Sequence, residues 1–340
     1  MNKFFLLFSI SMIPLISQAQ QPVELGKVQW LRDYEQALDR AAAEGKCVLI
    51  LFQEVPGCAT CRSYGNGPLS HPLIVEAIES LFVPLCIYNN EGGEDAKVLK
   101  RYREPAWNNP VVRIVDAAGA DVADRLNGNY NAAGLLETMT KALGQRGQSV
   151  PGYLSLLQEE MTAYQRGTAT ASLSMYCFWT GEKQLGRLSG VGATQAGFMD
   201  GREVVRVTYD PAVLPFEELV EAGQSARCAD GVYVNGLPRQ ELAAKVVGSK
   251  AVRSETDFRP DDTPKYYLAQ TIYRFVPMTP LQAARANALI GKGDSPEAAL
   301  SPRQIQLAAQ IAANPKAGWR NAIGQDFQKA WEAAFQSGAD

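Results

Sequence analysis

Six cysteines and one histidine limit the chemistry open to this chain of 340 residues. Cys58 and Cys61 stand in the run Glu54-Val-Pro-Gly-Cys-Ala-Thr-Cys61, and Cys47, Cys86, Cys177 and Cys228 are scattered. A CxxC directly after an apolar strand places the second cysteine in the first turn of a helix and brings two sulfurs within disulfide reach. The helix amides and dipole favour a thiolate on the first sulfur. That thiolate can attack a partner disulfide, and the second thiol can resolve the mixed disulfide. Two other readings stay open. One is a structural disulfide. The other is half a zinc site, which needs three or four ligands, whereas the sequence has no second CxxC and no histidine cluster. No metal or cofactor is therefore expected. His71 precedes Pro72 at a helix start, where capping or surface placement fits better than catalysis.

Around the CxxC the pattern alternates between helix and strand. Residues 31–44 have helical spacing and stop at Gly45. Residues 47–52 read as a buried strand, 71–81 as a helix, and 82–88 as the next strand. A short helix over 98–102, strand 111–115, a turn at 119–121 before another strand, and helix 134–143 complete an α/β unit. Cys47 and Cys86 fall in strands and read as core residues. Residues 144–151 are rich in Gly, Gln and Ser and form the best linker candidate, followed by a helix over 153–166. A second unit opens with strand 170–176 and continues with strand 203–209 and helix 216–222. Residues 235–262 are polar and carry no clear assignment. Helices follow at 280–290, 303–313 and 324–335, and the helical tail is expected to pack on the second unit.

Residues 1–19 have the form of a secretory signal: Lys3, an apolar stretch from Phe4 to Ile16, and Ser17-Gln-Ala19 as a small-x-small cleavage site. The reading is a periplasmic or secreted protein with no membrane span after cleavage. A net charge of -3 and scattered basic residues argue against nucleic acid as a partner.

Residues 28–143 resemble the thioredoxin superfamily. Cys58-Ala-Thr-Cys61 stands at that family's active site, and Pro110 stands where it has a cis-proline. The resemblance gives Pro110 a role in binding the partner's backbone. Thioredoxin has Trp-Cys-Gly-Pro-Cys. The Val55-Pro-Gly-Cys58 variant resembles a thioredoxin-like group in which selenocysteine can replace the first cysteine, which makes Cys58 the nucleophile.

Residues 170–290 resemble peptide methionine sulfoxide reductase A. That family's Gly-Cys-Phe-Trp-Gly stands here as Tyr176-Cys-Phe-Trp-Thr180. Leu188-Ser-Gly-Val191, Gly197-Phe198, Gly201-Arg-Glu-Val-Val205, Val207-Thr-Tyr-Asp-Pro211, Phe216-Glu-Glu-Leu219 and Asp261-Asp-Thr-Pro-Lys-Tyr266 follow in the family's order. The resemblance implies attack by Cys177 on a sulfoxide sulfur and protonation of the departing oxygen by Glu203. It implies a methyl pocket of Phe178 and Trp179, and a polar wall from Asp261 and Tyr266. The sulfenic acid left on Cys177 would condense with a second thiol, and Cys228 is the other cysteine of that half. The sequence departs from the family at Phe198, where a catalytic tyrosine stands, and at Arg202, where a histidine precedes the acid.

The expected architecture is thus α/β. A signal covers residues 1–19, a thioredoxin-like three-layer domain 24–144, and a linker with its helix 145–168. A reductase-like α+β domain covers 169–292 and a helical extension 293–340. The expected function is an exported thiol oxidoreductase of the peptide-methionine (S)-S-oxide reductase type. The CxxC domain would act as its reductant, an external dithiol as electron donor, and oxidised or disulfide-bonded proteins as substrates. Two alternatives remain: disulfide exchange alone with a second domain that only binds substrate, or a non-enzymatic binding protein.

Overall fold

The structure is a computed structural model that describes residues 21–233, 251–252 and 256–336 and the single positions 245 and 248. The expected signal at 1–19 and most of the unassigned polar stretch lie outside the described residues.

Helix α1 (Tyr34–Glu44) begins where the Asp33 side chain accepts from the Gln36 amide at 2.9 Å and ends at Gly45 with φ of 65°. Strand β1 (Cys47–Gln53) is buried along its whole length, the mark of a strand covered on both faces. It pairs in parallel with β2 (Phe82–Tyr88) and antiparallel with β3 (Val111–Val115), which pairs with β4 (Leu126–Asn127). The sheet order is β2-β1-β3-β4. Between these strands lie α2 (Ala59–Asn66), α3 (Pro72–Leu81) and α4 (Gly93–Tyr102), and α5 (Ala132–Gln145) follows them. Tyr34, Leu38, Val98 and Leu99 cover one face of the sheet, and Leu73, Ile78, Leu135 and Met139 cover the other. Three layers result. Cys47 and Cys86 are core residues, 5% and 0% exposed.

Helix α6 (Gly152–Arg166) is no loose linker. Its Tyr153, Leu154 and Leu157 belong to the core beneath the first sheet. Farther along the same helix, Glu159 accepts from the Gly190 amide at 3.1 Å and pairs with Arg285 at 3.1 Å, both in the second half.

The second sheet contains β5 (Ala169–Met175), β6 (Val191–Met199), β7 (Arg202–Tyr209), β8 (Ala229–Tyr233), β9 (Ala251–Val252) and β10 (Arg259–Pro260). Its order is β10-β6-β7-β5-β8-β9. Helices α7 (Phe178–Leu185) and α8 (Phe216–Ser225) pack on it through Phe178, Leu185, Phe216 and Leu219. Beyond it come α9 (Tyr266–Ala269), α10 (Pro280–Ile290), α11 (Pro302–Ala313) and α12 (Phe327–Gln336). Thr279 and Ser301 form capping boxes with Gln282 and Gln304, which fixes where α10 and α11 start.

The tail departs from expectation. Helix α11 packs with Leu268 and Val276, but its first turn reaches back to α3, where buried Glu76 accepts from the Ser301 hydroxyl at 2.7 Å and the Arg303 amide at 2.8 Å. Helix α12 joins the core of the first half through Trp331, which is 7% exposed. Phe327 of α12 stacks on His71 at a centroid distance of 5.5 Å. His71 is at the start of α3 as expected, yet its side chain makes no capping bond and its Nδ1 has no partner among the described residues. The ring is covered by α12, and burial lowers its pKa to about 4.

Candidate active site

The loop after β1 carries Cys58 to the N-cap of α2, with Cys58 exposed and Cys61 fully buried. Both are free thiols, and their Sγ atoms are 3.6 Å apart. The asymmetry follows from what surrounds each sulfur. At the helix N-terminus the Cys61 amide, chiefly, holds the Cys58 thiol below the ordinary thiol range, aided by the Cys61 thiol and by Thr60. Burial, with the Cys58 hydrogen bond added, pushes Cys61 up to about 11. One sulfur thus faces solvent with its thiolate favoured, while burial disfavours the thiolate of its neighbour.

Three residues outside the CxxC build its support, and none was singled out in the sequence. The Cys61 thiol donates to Asn109 Oδ1 at 2.8 Å, and Asn109 precedes Pro110 across a cis peptide bond. Buried Gln53, at the end of β1, donates to the Glu24 carbonyl at 2.7 Å and the Cys61 carbonyl at 3.3 Å. The Glu24 carboxylate accepts from the Gly57 amide at 2.9 Å, which fixes the loop just before Cys58. Gly57 is required there, because a Cβ would lie 2.3 Å from the Glu54 carbonyl oxygen and 2.7 Å from Cys61 Cβ. Position before Pro110 was the one available cue to Asn109; Glu24 and Gln53 meet the site only through the fold. On the same rim, Trp107 is 82% exposed in the turn closed by the Asn108 amide on the Pro105 carbonyl. Pro110 itself is buried.

The second group of residues lies at the start of α7. Cys177 is the half-buried N-cap, and the Phe178 amide donates to Glu203 Oε2 at 2.8 Å. Glu203 on β7 thus bonds the amide of the residue that follows Cys177. Phe178 is buried and meets Phe198 edge-on at 5.4 Å. Trp179 stacks on Tyr266 with centroids 4.0 Å apart. The Asp261 amide donates to the Ala196 carbonyl at 2.9 Å, which sets Asp261 beside β6. Two buried polar atoms here, Trp179 Nε1 and Asp261 Oδ2, have no partner among the described residues.

A buried clamp fixes that arrangement. The Lys265 ammonium pairs with Glu182 at 2.6 Å and also bonds the Thr194 carbonyl, and the Lys265 amide donates to Glu182 at 3.0 Å. Glu182 is one turn beyond Trp179 on α7, and Lys265 immediately precedes Tyr266, so the clamp sets both stacked rings. Neither residue of the clamp was picked out from sequence.

Cys228 is placed differently. Its carbonyl accepts from the Tyr176 amide at 3.1 Å, so its backbone neighbours that of Cys177. Its sulfur points into the core, 2% exposed, and donates to the Gly223 carbonyl at 3.4 Å. Burial raises its pKa.

Residues 29–117 match the family model described as thioredoxin-like. Among curated proteins, the chain is similar to peptide methionine sulfoxide reductase MsrA of Salmonella arizonae, 31% identical over 104 residues covering 24% of this chain and 49% of that protein. A second relative, the MsrA of Methanococcus maripaludis, is 32% identical over 71 residues, covering 16% of this chain and 45% of that protein. The chain thus spans about half the length of the curated relatives it matches. Among solved structures, a DsbH oxidoreductase is similar at 17% identity and a TM-score of 0.31, covering 39% of this chain and 95% of that one. A thioredoxin from Thermus thermophilus is 28% identical with a TM-score of 0.31, covering 35% of this chain and 90% of that one.

Proposed function

We propose that this protein is a thiol oxidoreductase in which the Cys58–Cys61 dithiol supplies electrons for reduction of methionine sulfoxide at Cys177. The observation that carries the reading is the exposed Cys58 sulfur at the start of α2, 3.6 Å from the sulfur of a buried partner. Cys58 attacks a disulfide sulfur and expels a thiolate. Cys61 then gives its proton to solvent and displaces Cys58's partner, so the dithiol is oxidised and the target reduced.

The second half of the reading rests on Cys177, Glu203 and the ring cage around them. Cys177 attacks the sulfoxide sulfur, and the oxygen accepts protons and is transferred, leaving the thioether and a Cys177 sulfenic acid. Glu203 is our choice of proton donor, and its bond to the first amide of α7, beside Cys177, supports that choice. The partnerless Trp179 Nε1 and Asp261 Oδ2 suit an oxygen-bearing ligand. The sulfenic acid condenses with a thiol, releasing water and forming a disulfide that the CxxC dithiol reduces. Cys228 is our choice for that thiol, and its sulfur has to turn out of the core to act. The substrates are oxidised exported proteins, an external dithiol renews the electrons, and the leader-like stretch at Lys3 to Ala19 supports a location outside the cytoplasm. Among the described residues no helix is long and apolar enough to cross a membrane.

The test is dithiol-dependent turnover of both epimers of a methionine sulfoxide peptide, and of a model disulfide, by wild type, Cys58→Ser and Cys177→Ser. Loss of sulfoxide reduction in Cys177→Ser with disulfide turnover intact supports the coupled reading. Full sulfoxide reduction by Cys177→Ser refutes it. Disulfide turnover with no sulfoxide reduction in the wild type leaves dithiol exchange as the function.

A further inference from the structure

The spacing of the cysteines supplies two metal ligands, and the fold adds a third that the CxxC motif does not require. Glu54 opens the loop that follows β1, and its carboxylate oxygen, Cys58 Sγ and Cys61 Sγ all lie within 4.8 Å of one another. We propose that the reduced dithiol and Glu54 together bind one zinc-type divalent cation, with the fourth position open to water.

The geometry is close to that of a bound ion. Two thiolates held at about 2.3 Å on a tetrahedral centre are about 3.8 Å apart, and the two sulfurs here are 3.6 Å apart. The carboxylate oxygen, within 4.8 Å of both sulfurs, has to close by no more than about 1.3 Å to fit the same tetrahedron. Glu54 is only half-buried, so its side chain has room to make that movement. Asn109 accepts from the Cys61 thiol at 2.8 Å in the metal-free protein; once that proton is released its side-chain amide has to turn to present its NH2 group to the metal-bound sulfur. The donor set of two sulfurs and one carboxylate selects a borderline-soft cation over magnesium or calcium, which prefer oxygen alone.

Binding is a ligand exchange with no change of oxidation state: the cation loses water, two thiols release two protons, and two metal–sulfur bonds form. The disulfide form has no thiolate to offer. The cation therefore binds only the reduced protein and withdraws Cys58 from disulfide exchange until it is removed. This holds whether or not Cys177 reduces sulfoxides, since no residue of the second half takes part.

The experiment titrates the reduced full-length chain with Zn2+ against a chromophoric chelator, and with Co2+ as an absorbing probe of thiolate ligation. The expected result is one cation per chain, with thiolate bands in the Co2+ spectrum, and no binding after Cys58 and Cys61 are oxidised. Cys177→Ser keeps that stoichiometry. Glu54→Gln keeps both thiols and weakens binding by about tenfold or more, while an unchanged far-UV circular dichroism spectrum and thermal midpoint show that the variant is folded. Equal affinity in Glu54→Gln overturns the three-ligand site, and so does a cation that stays bound to the oxidised protein.

Discussion

Glu160 offers a measurable readout of how the two halves are joined. It lies on α6, 3% exposed, where Oε1 accepts from the Leu281 amide at 3.2 Å at the head of α10. Burial, with Glu159 adding to it, raises its pKa from 4.5 to about 7 against the opposing pull of Thr279 and Leu281. The folded chain then keeps a proton that the unfolded chain releases. The corresponding stability is complete below about 4.5 and is lost as the pH rises through about 7. That interval, at about 1.36 kcal/mol per pH unit, amounts to about 3 kcal/mol. Glu160→Gln has nearly the same shape, still accepts from Leu281, and has no proton to lose. Denaturant unfolding of wild type and variant at about pH 5 and about pH 8 should therefore show the variant gaining about 3 kcal/mol relative to wild type at the higher pH. Taking the difference also cancels His71, whose lowered pKa acts in the opposite direction and costs stability as the pH falls from 6.5 towards about 4. A difference between the two proteins that stays constant with pH refutes a buried, proton-holding Glu160.

Other expectations concern the site and its supports. Cys61→Ser should accumulate a mixed disulfide on Cys58 with a protein substrate, seen as a reductant-sensitive adduct in mass spectrometry, because the resolving thiol is gone; an absence of adduct counts against Cys58 as nucleophile. Phe198→Tyr places a hydroxyl on the ring that meets Phe178 and should raise sulfoxide reduction by about tenfold or more, by adding one donor near the departing oxygen. A rate that is unchanged or lower would remove position 198 from the oxygen site. Trp331→Ala should cost about 3 kcal/mol of stability and expose the face of the first half under α12 to limited proteolysis. The Lys27–Glu332 pair at 2.6 Å is exposed, and Glu332→Gln should change stability by less than about 1 kcal/mol.

How much could be read from sequence depended on whether the signal was local. Strand β1 is an unbroken apolar run and α1 has its cap, stripe and stop within a dozen residues, so both were legible. The dithiol was legible for the same reason: its chemistry is carried by four consecutive residues. Strands β6 and β8 were not, because Gly192, Gly197, Gly231 and several alanines give them little strand character by type. Gly197 is nonetheless required, since a Cβ there would lie 2.4 Å from the Arg259 carbonyl oxygen on β10. Helix α7 was hidden by Gly181, which lets the helix sit on Met175 and Val205. The supports of the dithiol were beyond sequence reading altogether. Glu24, Gln53 and Asn109 are ordinary polar residues until the fold brings them to Cys61 and Gly57. The tail shows the same limit, because α12 has an amphipathic pattern that says nothing about which surface it covers.

The return of α12 to the first half has a consequence for the order in which the chain can be completed. Lys27 and Glu332 meet across 305 positions of sequence, and Trp331 closes a face that includes Leu25, Val28 and Leu73. During synthesis those apolar residues are made about 300 residues before the helix that covers them. Until that helix docks, the earlier half waits with its flank open, the condition under which nascent proteins attract chaperones or stray partners.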